Sequence, residues 1–214
     1  MISPKTFEKV RKLYGHFASW AVWAEEGDKP KSNIDDLSVL DPASNPDLLN
    51  TLTADFIFLG LNISRRIERP LGNFHDSRPM ATDYKIRSAL NGTRFWGAYM
   101  TDIIKDFEEK AAGRMMKYLS ADKGFEKENI KMLKAEIELL GTTSPTLIAF
   151  GRDAEKIAKR NLGSEFQIVG MPHYANYMSR EDYRSKVITI LADVSPKRIA
   201  ESGKGEFLSP PHNT

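Results

Sequence analysis

The chain has 214 residues, 41% of them hydrophobic and 28% charged, with a formal net charge of +2. That length supports one sizeable core, and so small a charge excess excludes nucleic-acid binding by bulk basicity, leaving only local clustering. The absence of Cys excludes disulfides, thiolate metal sites and a cysteine nucleophile. No signal-peptide pattern and no apolar run of membrane-spanning length is present, so a cytoplasmic protein with no membrane partner is expected.

In chain order, residues 4–26 read as a helix. Ser3-Pro4 supplies a start, and Phe7, Val10, Leu13, Tyr14, Phe17, Trp20, Ala21 and Ala24 recur at helical spacing. Gly27-Asp28-Lys29-Pro30 ends it, and a polar connection runs to about residue 50. The run from Asp55 to Gly60 is continuously apolar between its ends, which suits a strand of 55–60 covered on both faces. Residues 62–94 follow as a long connection rich in Arg, Asn, Gly and Pro, broken by a short helix near Tyr84–Leu90. Loops of this length inside compact domains are usually functional or disordered, and the position directly after a strand favours function.

A second strand is expected over 96–101, then a charged surface excursion over 106–124. Ile130, Leu133, Ile137 and Leu140 predict a helix over 126–140, stopped by Gly141. Residues 146–150 and 166–170 read as the third and fourth strands, with a helix over 153–161 between them. Ser179, with Asp182 at the reciprocal capping position, opens a last helix over 179–192. Residues 1–195 are expected to form a single domain, with 196–214 as a C-terminal tail.

Strands separated by helices or long connections assemble most simply into a three-layer α/β/α sandwich with a central, mostly parallel four-stranded sheet. Ligands of open α/β sheets collect outside the carboxyl ends of the strands. Asn62, Asp102, Gly151 and His173 all fall just past a strand, so they should converge there. No phosphate-loop motif, dinucleotide glycine spacing or Gly-x-Ser-x-Gly elbow is present. His75-Asp76 with His173 lacks diagnostic spacing for zinc, and neither metal nor cofactor is expected.

Four motifs carry a resemblance. Gly60-Leu61-Asn62, the run Ala98 to Lys105 containing Thr101-Asp102, Leu147 to Gly151 followed by Ala154, and Met171-Pro172-His173-Tyr174 resemble, in order, those of the uracil-DNA glycosylase superfamily. The matches span roughly residues 53–192. The resemblance implies a monomeric, cofactor-free hydrolase that removes a deaminated or damaged base from DNA by cleaving its N-glycosidic bond. It implies that Asn62 positions the attacking water and His173 stabilises the leaving base. Gly60, Leu61, Phe74, Asp102 and Tyr174 would bind the base. Asn176, in the loop that enters the minor groove, would contact DNA, and the basic pair Arg65 and Arg66 suits phosphates.

The chain also departs from the family pattern. Ile63-Ser64 stands where proline commonly follows the Asn, and His173-Tyr174-Ala175 replaces the frequent His-Pro-Ser. Asp102 stands where many members have an Asn that reads the pyrimidine edge. An ionised carboxylate accepts an N–H but offers no donor to a carbonyl. Two alternatives stay open: a non-catalytic nucleic-acid-binding relative, and a nucleotide- or small-molecule-binding α/β protein.

Overall fold

The computed structural model describes residues 1–105 and 107–195. The expected tail, 196–214, lies outside the described residues. The first helix, α1 (Pro4–Tyr14), is opened by Ser3, whose side chain accepts from the Thr6 N–H, and closed at Gly15. It is much shorter than the expected 4–26. Ala18 to Trp23 are buried without interruption, and a helix offering one apolar stripe cannot bury six consecutive residues. They extend instead: β1 (Ala18–Trp20) pairs antiparallel with β3 (Ala98–Ile104), with Trp20 opposite Tyr99. The two rings meet edge-on at 4.7 Å.

The sheet therefore has five strands, not the four expected. With β2 (Thr53–Asn62), β4 (Thr146–Phe150) and β5 (Gln167–Met171), its order is β1-β3-β2-β4-β5, and all neighbours beyond β1 are parallel. The second of the expected strands begins two residues late for a steric reason. Gly97 has φ +82°, and a Cβ there would overlap the Thr51 carbonyl oxygen, so Gly97 turns the chain and extension starts at Ala98. Asp102 consequently lies inside β3, opposite Gly60, and not beyond the strand end.

Alternation along the strands feeds two cores. Ile57, Leu59, Tyr99, Ile103 and Leu147 face one cluster, which takes in buried residues of α1, α4 (Ala112–Ala121), α5 (Lys123–Leu139) and α6 (Arg152–Leu162). Phe56, Phe58, Met100, Ile148 and Phe150 face the other, with α3 (Tyr84–Leu90) and α7 (Arg180–Leu191). A one-turn helix, α2 (Leu48–Thr51), precedes β2. The fold is thus mixed α/β, a central sheet flanked by helices. Residues 112–121, expected as surface excursion, are helical because Met115 and Leu119 fill the first core, a two-residue stripe too sparse to stand out among charges. No helix among the described residues is long and apolar enough to cross a membrane.

One charged network is sealed under the sheet. Lys105 Nζ pairs with Glu136 and donates to Thr101 Oγ1 at 2.8 Å, while the Tyr99 hydroxyl donates to Glu136 Oε1 at 2.6 Å. Both charged side chains are almost fully buried. Removing one partner leaves an uncompensated buried charge, which costs about 3–5 kcal/mol, whereas replacing both with apolar groups is often close to neutral. Urea unfolding of Glu136→Leu should therefore show a loss of that order, with most of it recovered in Lys105→Met/Glu136→Leu. A double variant as unstable as the single one would show that the pair itself stabilises the fold.

Candidate active site

The carboxyl ends of β2 to β5 open into a cleft of about 1270 Å³. Of the residues singled out from sequence, Gly60, Leu61, Asn62, Phe74 and Asp102 line it from one side; His173, Tyr174 and Asn176 line it after β5. Arg65 and Arg66 are not among its lining residues.

The floor is made by a close approach across two strands. Gly60 pairs with Asp102, and any side chain at Gly60 would overlap Asp102 Oδ1. Asn73 holds the other carboxyl oxygen, donating to Oδ2 at 2.7 Å, and donates its second amide hydrogen to the Phe17 carbonyl at 2.8 Å. Asp102 Oδ1 takes no hydrogen bond among the described residues, and Asp102 lines the cleft. Burial pushes the Asp102 carboxyl up to about 7; the Asn73 hydrogen bond and the Lys105 charge oppose that rise, and Glu136 adds to it.

Asn62 ends β2. Its Nδ2 lies 2.9 Å from the Ile63 carbonyl, 3.1 Å from that of Phe107 and 2.8 Å from that of Glu109. Three carbonyl oxygens can only accept, so the amide nitrogen must face them, and Oδ1, which takes no hydrogen bond among the described residues, is left as an acceptor at the cleft. A carboxylate at this position would confront those carbonyls. The amide is what the backbone of this segment demands.

His173 follows β5 and rests on the β4–α6 junction. Gly151, at φ +85°, admits the imidazole: a Cβ there would stand 3.2 Å from His173 Cβ. The Ala175 N–H donates to His173 Nδ1 at 3.1 Å, so the proton of the neutral ring belongs on Nε2. Burial lowers the His173 pKa and favours that neutral form. The ring stacks on Tyr174 at 4.3 Å, and Tyr174 meets Phe150 edge-on at 5.3 Å. Phe74 lies 5.9 Å from Phe150 and completes an aromatic wall. Its backbone is in the left-handed region, φ +62°, uncommon for a bulky residue. The Asn73 side chain and Trp23 hold it there, the first accepting from its N–H and the second donating to its carbonyl. Strain retained in this way clusters at functional sites.

The rim is organised from a distance. Lys85 of α3, itself buried, donates to the carbonyls of Asn176 and Met178 at 3.1 and 2.9 Å, and so pins the loop after His173. Arg65 is engaged by Asp76 at 3.2 Å, with Arg78 on the same carboxylate at 2.7 Å. Burial opposes ionisation of Asp76, but the Arg78 hydrogen bonds and both guanidinium charges outweigh it and hold the carboxyl low. The charge of Arg65 is thereby met internally, while Arg66 stays exposed. The Asp76 N–H donates to Asp83 Oδ2 at 2.8 Å, and burial pushes the Asp83 carboxyl up to about 7. His75 stands behind this wall, not in it. It is packed on Trp23 at 5.2 Å, and among the described residues neither ring nitrogen completes a hydrogen bond, although backbone groups of Ile34 and Trp20 lie near. No group of three potential metal ligands stands together among the described residues.

Asn73, Asp83 and Lys85 escaped sequence reasoning. Each lies in the long connection after β2, where no periodicity points inward; the adjacency of Asn73 to Phe74 was the one available signal. Comparison of the chain with protein-family models returned no match, and comparison with curated proteins returned none.

The raised Asp83 pKa has a consequence for stability. A carboxyl near 4 in the unfolded chain and about 7 in the folded one favours folding fully below pH 4 and loses that contribution as pH rises to 7. Asp83→Asn keeps an acceptor for the Asp76 N–H without the buried charge. It should be more stable than wild type at pH 8, by on the order of 2–4 kcal/mol, with the difference vanishing near pH 4. Thermal or urea unfolding across that range checks this; a difference independent of pH would contradict it.

Proposed function

We propose that the cleft is the active site of a DNA glycosylase-like hydrolase, a divergent relative of the uracil-DNA glycosylases. In this reading the two helical layers and central sheet form that family's three-layer sandwich. The observation that carries the proposal is the convergence in one cleft of an amide, a carboxyl and a neutral imidazole from separate crossovers, beside an aromatic wall. A base removed from the helical stack needs an enclosed slot, stacking partners and polar groups along its edge. Phe74, Phe150 and Tyr174 supply the apolar surface, and Asp102 with Asn73 the polar floor.

Breaking the glycosidic bond develops negative charge on the departing base and positive charge on the sugar. The Nε2–H of His173, held by the Ala175 N–H on the opposite ring nitrogen, meets the first in the manner of an oxyanion-hole donor. Asn62 directs Oδ1 outward because its nitrogen is occupied. That oxygen accepts from an attacking water and sets its dipole towards the cationic sugar. It cannot take the proton as a carboxylate would, so the rate should fall short of a carboxylate enzyme by roughly the 10²–10⁴ that general-base catalysis contributes. DNA is engaged through the loop at Asn176 and the exposed Arg66, with Arg65 ordering the rim.

One observation favours a second reading. Acidic Asp76, Asp83, Glu109, Asp153 and Glu155 line the cleft with Asp102, against Arg78, Lys110, Arg152 and Lys186. That balance suits a nucleoside or other small ligand better than a phosphate-rich duplex. A panel of oligonucleotides carrying uracil, hypoxanthine, xanthine and oxidised pyrimidines of both the uracil and the cytosine type, single- and double-stranded, separates the two. Single-turnover base release by wild type, reduced about 10²–10³-fold in His173→Ala, is expected. Release from none of them, with nucleosides still bound, would give the case to the second reading.

A further inference from the structure

We infer that the floor of the cleft selects a base carrying an exocyclic amino group, received as a donor by Asp102 Oδ1, over the corresponding carbonyl base. The inference rests on reading the cleft as a base pocket and specifies which base edge fits. Asp102 is only 3% exposed, yet Oδ1 has no partner among the described residues and borders the cleft. An acceptor that the protein leaves unpaired, and that opens to the cleft, is free to take a donor from whatever occupies the space above it.

Among the described residues, Asn73, Gly60 and Lys105 beside it offer a carbonyl no side-chain donor. Both amide hydrogens of Asn73 are committed, to Phe17 and to Asp102 Oδ2, and its own oxygen accepts from the Phe74 N–H at 3.1 Å. Gly60 brings no side chain, and Lys105 is engaged by Glu136 and Thr101. On the wall, His173 offers the opposite sense, a donor at Nε2. An acceptor on the floor and a donor on the wall match a cytosine-type ring, which carries an amino group and a ring carbonyl at separate positions. A uracil-type ring can offer its N3–H to the carboxylate, but its second carbonyl then lies against Oδ1 and finds no donor.

Protonation inverts the logic. Once Oδ1 carries a proton it donates, and the carbonyl base becomes acceptable. The groups acting on Asp102 are Asn73 by hydrogen bond and Lys105 and Glu136 by charge; Tyr174 across the cleft stays a neutral phenol, its own pKa raised by burial and by the charges of Asp83 and Asp102. Together with burial they place that change near neutral pH.

The arrangement also fixes what Asp102→Asn does. Asn73 still requires an acceptor where Oδ2 was, so the new amide turns its oxygen there and its NH₂ into the cleft. The floor then donates, and preference passes to the carbonyl base.

Isothermal titration of the 214-residue chain with 2′-deoxycytidine and 2′-deoxyuridine tests this without requiring chemistry. For wild type at pH 8, deoxycytidine should bind at least about tenfold more tightly, and the ratio should shrink at pH 6. Asp102→Asn should prefer deoxyuridine at both pH values. Equal affinities at pH 8, a deoxyuridine preference there, binding of neither nucleoside, or a folded variant that still prefers deoxycytidine would each overturn the inference. If the variant does not fold, the two wild-type titrations decide. Amino-base selection with no release from any oligonucleotide would retire the glycosylase reading alone. Release from oligonucleotides with no amino preference in the titrations would retire this inference alone.

Discussion

The site depends on one close approach: a carboxyl group from β3 lying on the bare α-carbon of its neighbour in β2. Glycine at position 60 is what permits it, since any side chain there would occupy the place of Asp102 Oδ1. The approach brings an ionisable group to the end of a sheet otherwise filled by aliphatic and aromatic residues, and it leaves open space above. Asn73 then fixes the carboxyl from the far side and, through its oxygen, fixes the strained backbone of Phe74. Floor and aromatic wall are therefore mechanically one unit, and a change at Gly60, Asn73 or Asp102 is felt by all three.

The same economy appears at the two other polar positions. Asn62 and His173 each use one atom to hold backbone and present the other to the cleft. For Asn62 the nitrogen is consumed by the Ile63 carbonyl and by two carbonyls of the segment after β3; for His173 the Nδ1 atom is consumed by the Ala175 N–H. In both cases the structural bond settles the chemical character of the free atom. Asn62 is left an acceptor and His173 a donor. Residues whose identity looks interchangeable in sequence are thus constrained by what their second atom must do.

The parallel strands were legible because each is an apolar run bounded by glycine or proline, and their shared carboxyl edge followed from topology alone. That is why topology assigns Asn62, Asp102 and His173 to one edge of the sheet. The first 26 residues misled because Phe17, Trp20 and Ala21 fit a helical stripe continuing from Phe7 and Val10; only burial on every successive position shows that the chain has become an edge strand. The start of β3 was missed because the steric demand on Gly97 comes from Thr51, a distant residue. Asn73, Asp83 and Lys85 were illegible for a similar reason: their roles are bonds to partners 29, 7 and 91 or 93 residues away, and no local pattern records them.

The account's central claim is that one planar ring occupies the space between the imidazole of His173 and the carboxyl of Asp102, against the wall of Phe74 and Tyr174. A crystal structure of the protein grown at pH 8 with 2′-deoxycytidine tests it directly. The account predicts the cytosine ring in that space, its amino group within about 3 Å of Asp102 Oδ1 and its carbonyl facing His173 Nε2. A ring bound elsewhere on the surface, or one in the cleft that touches neither side chain, would contradict it.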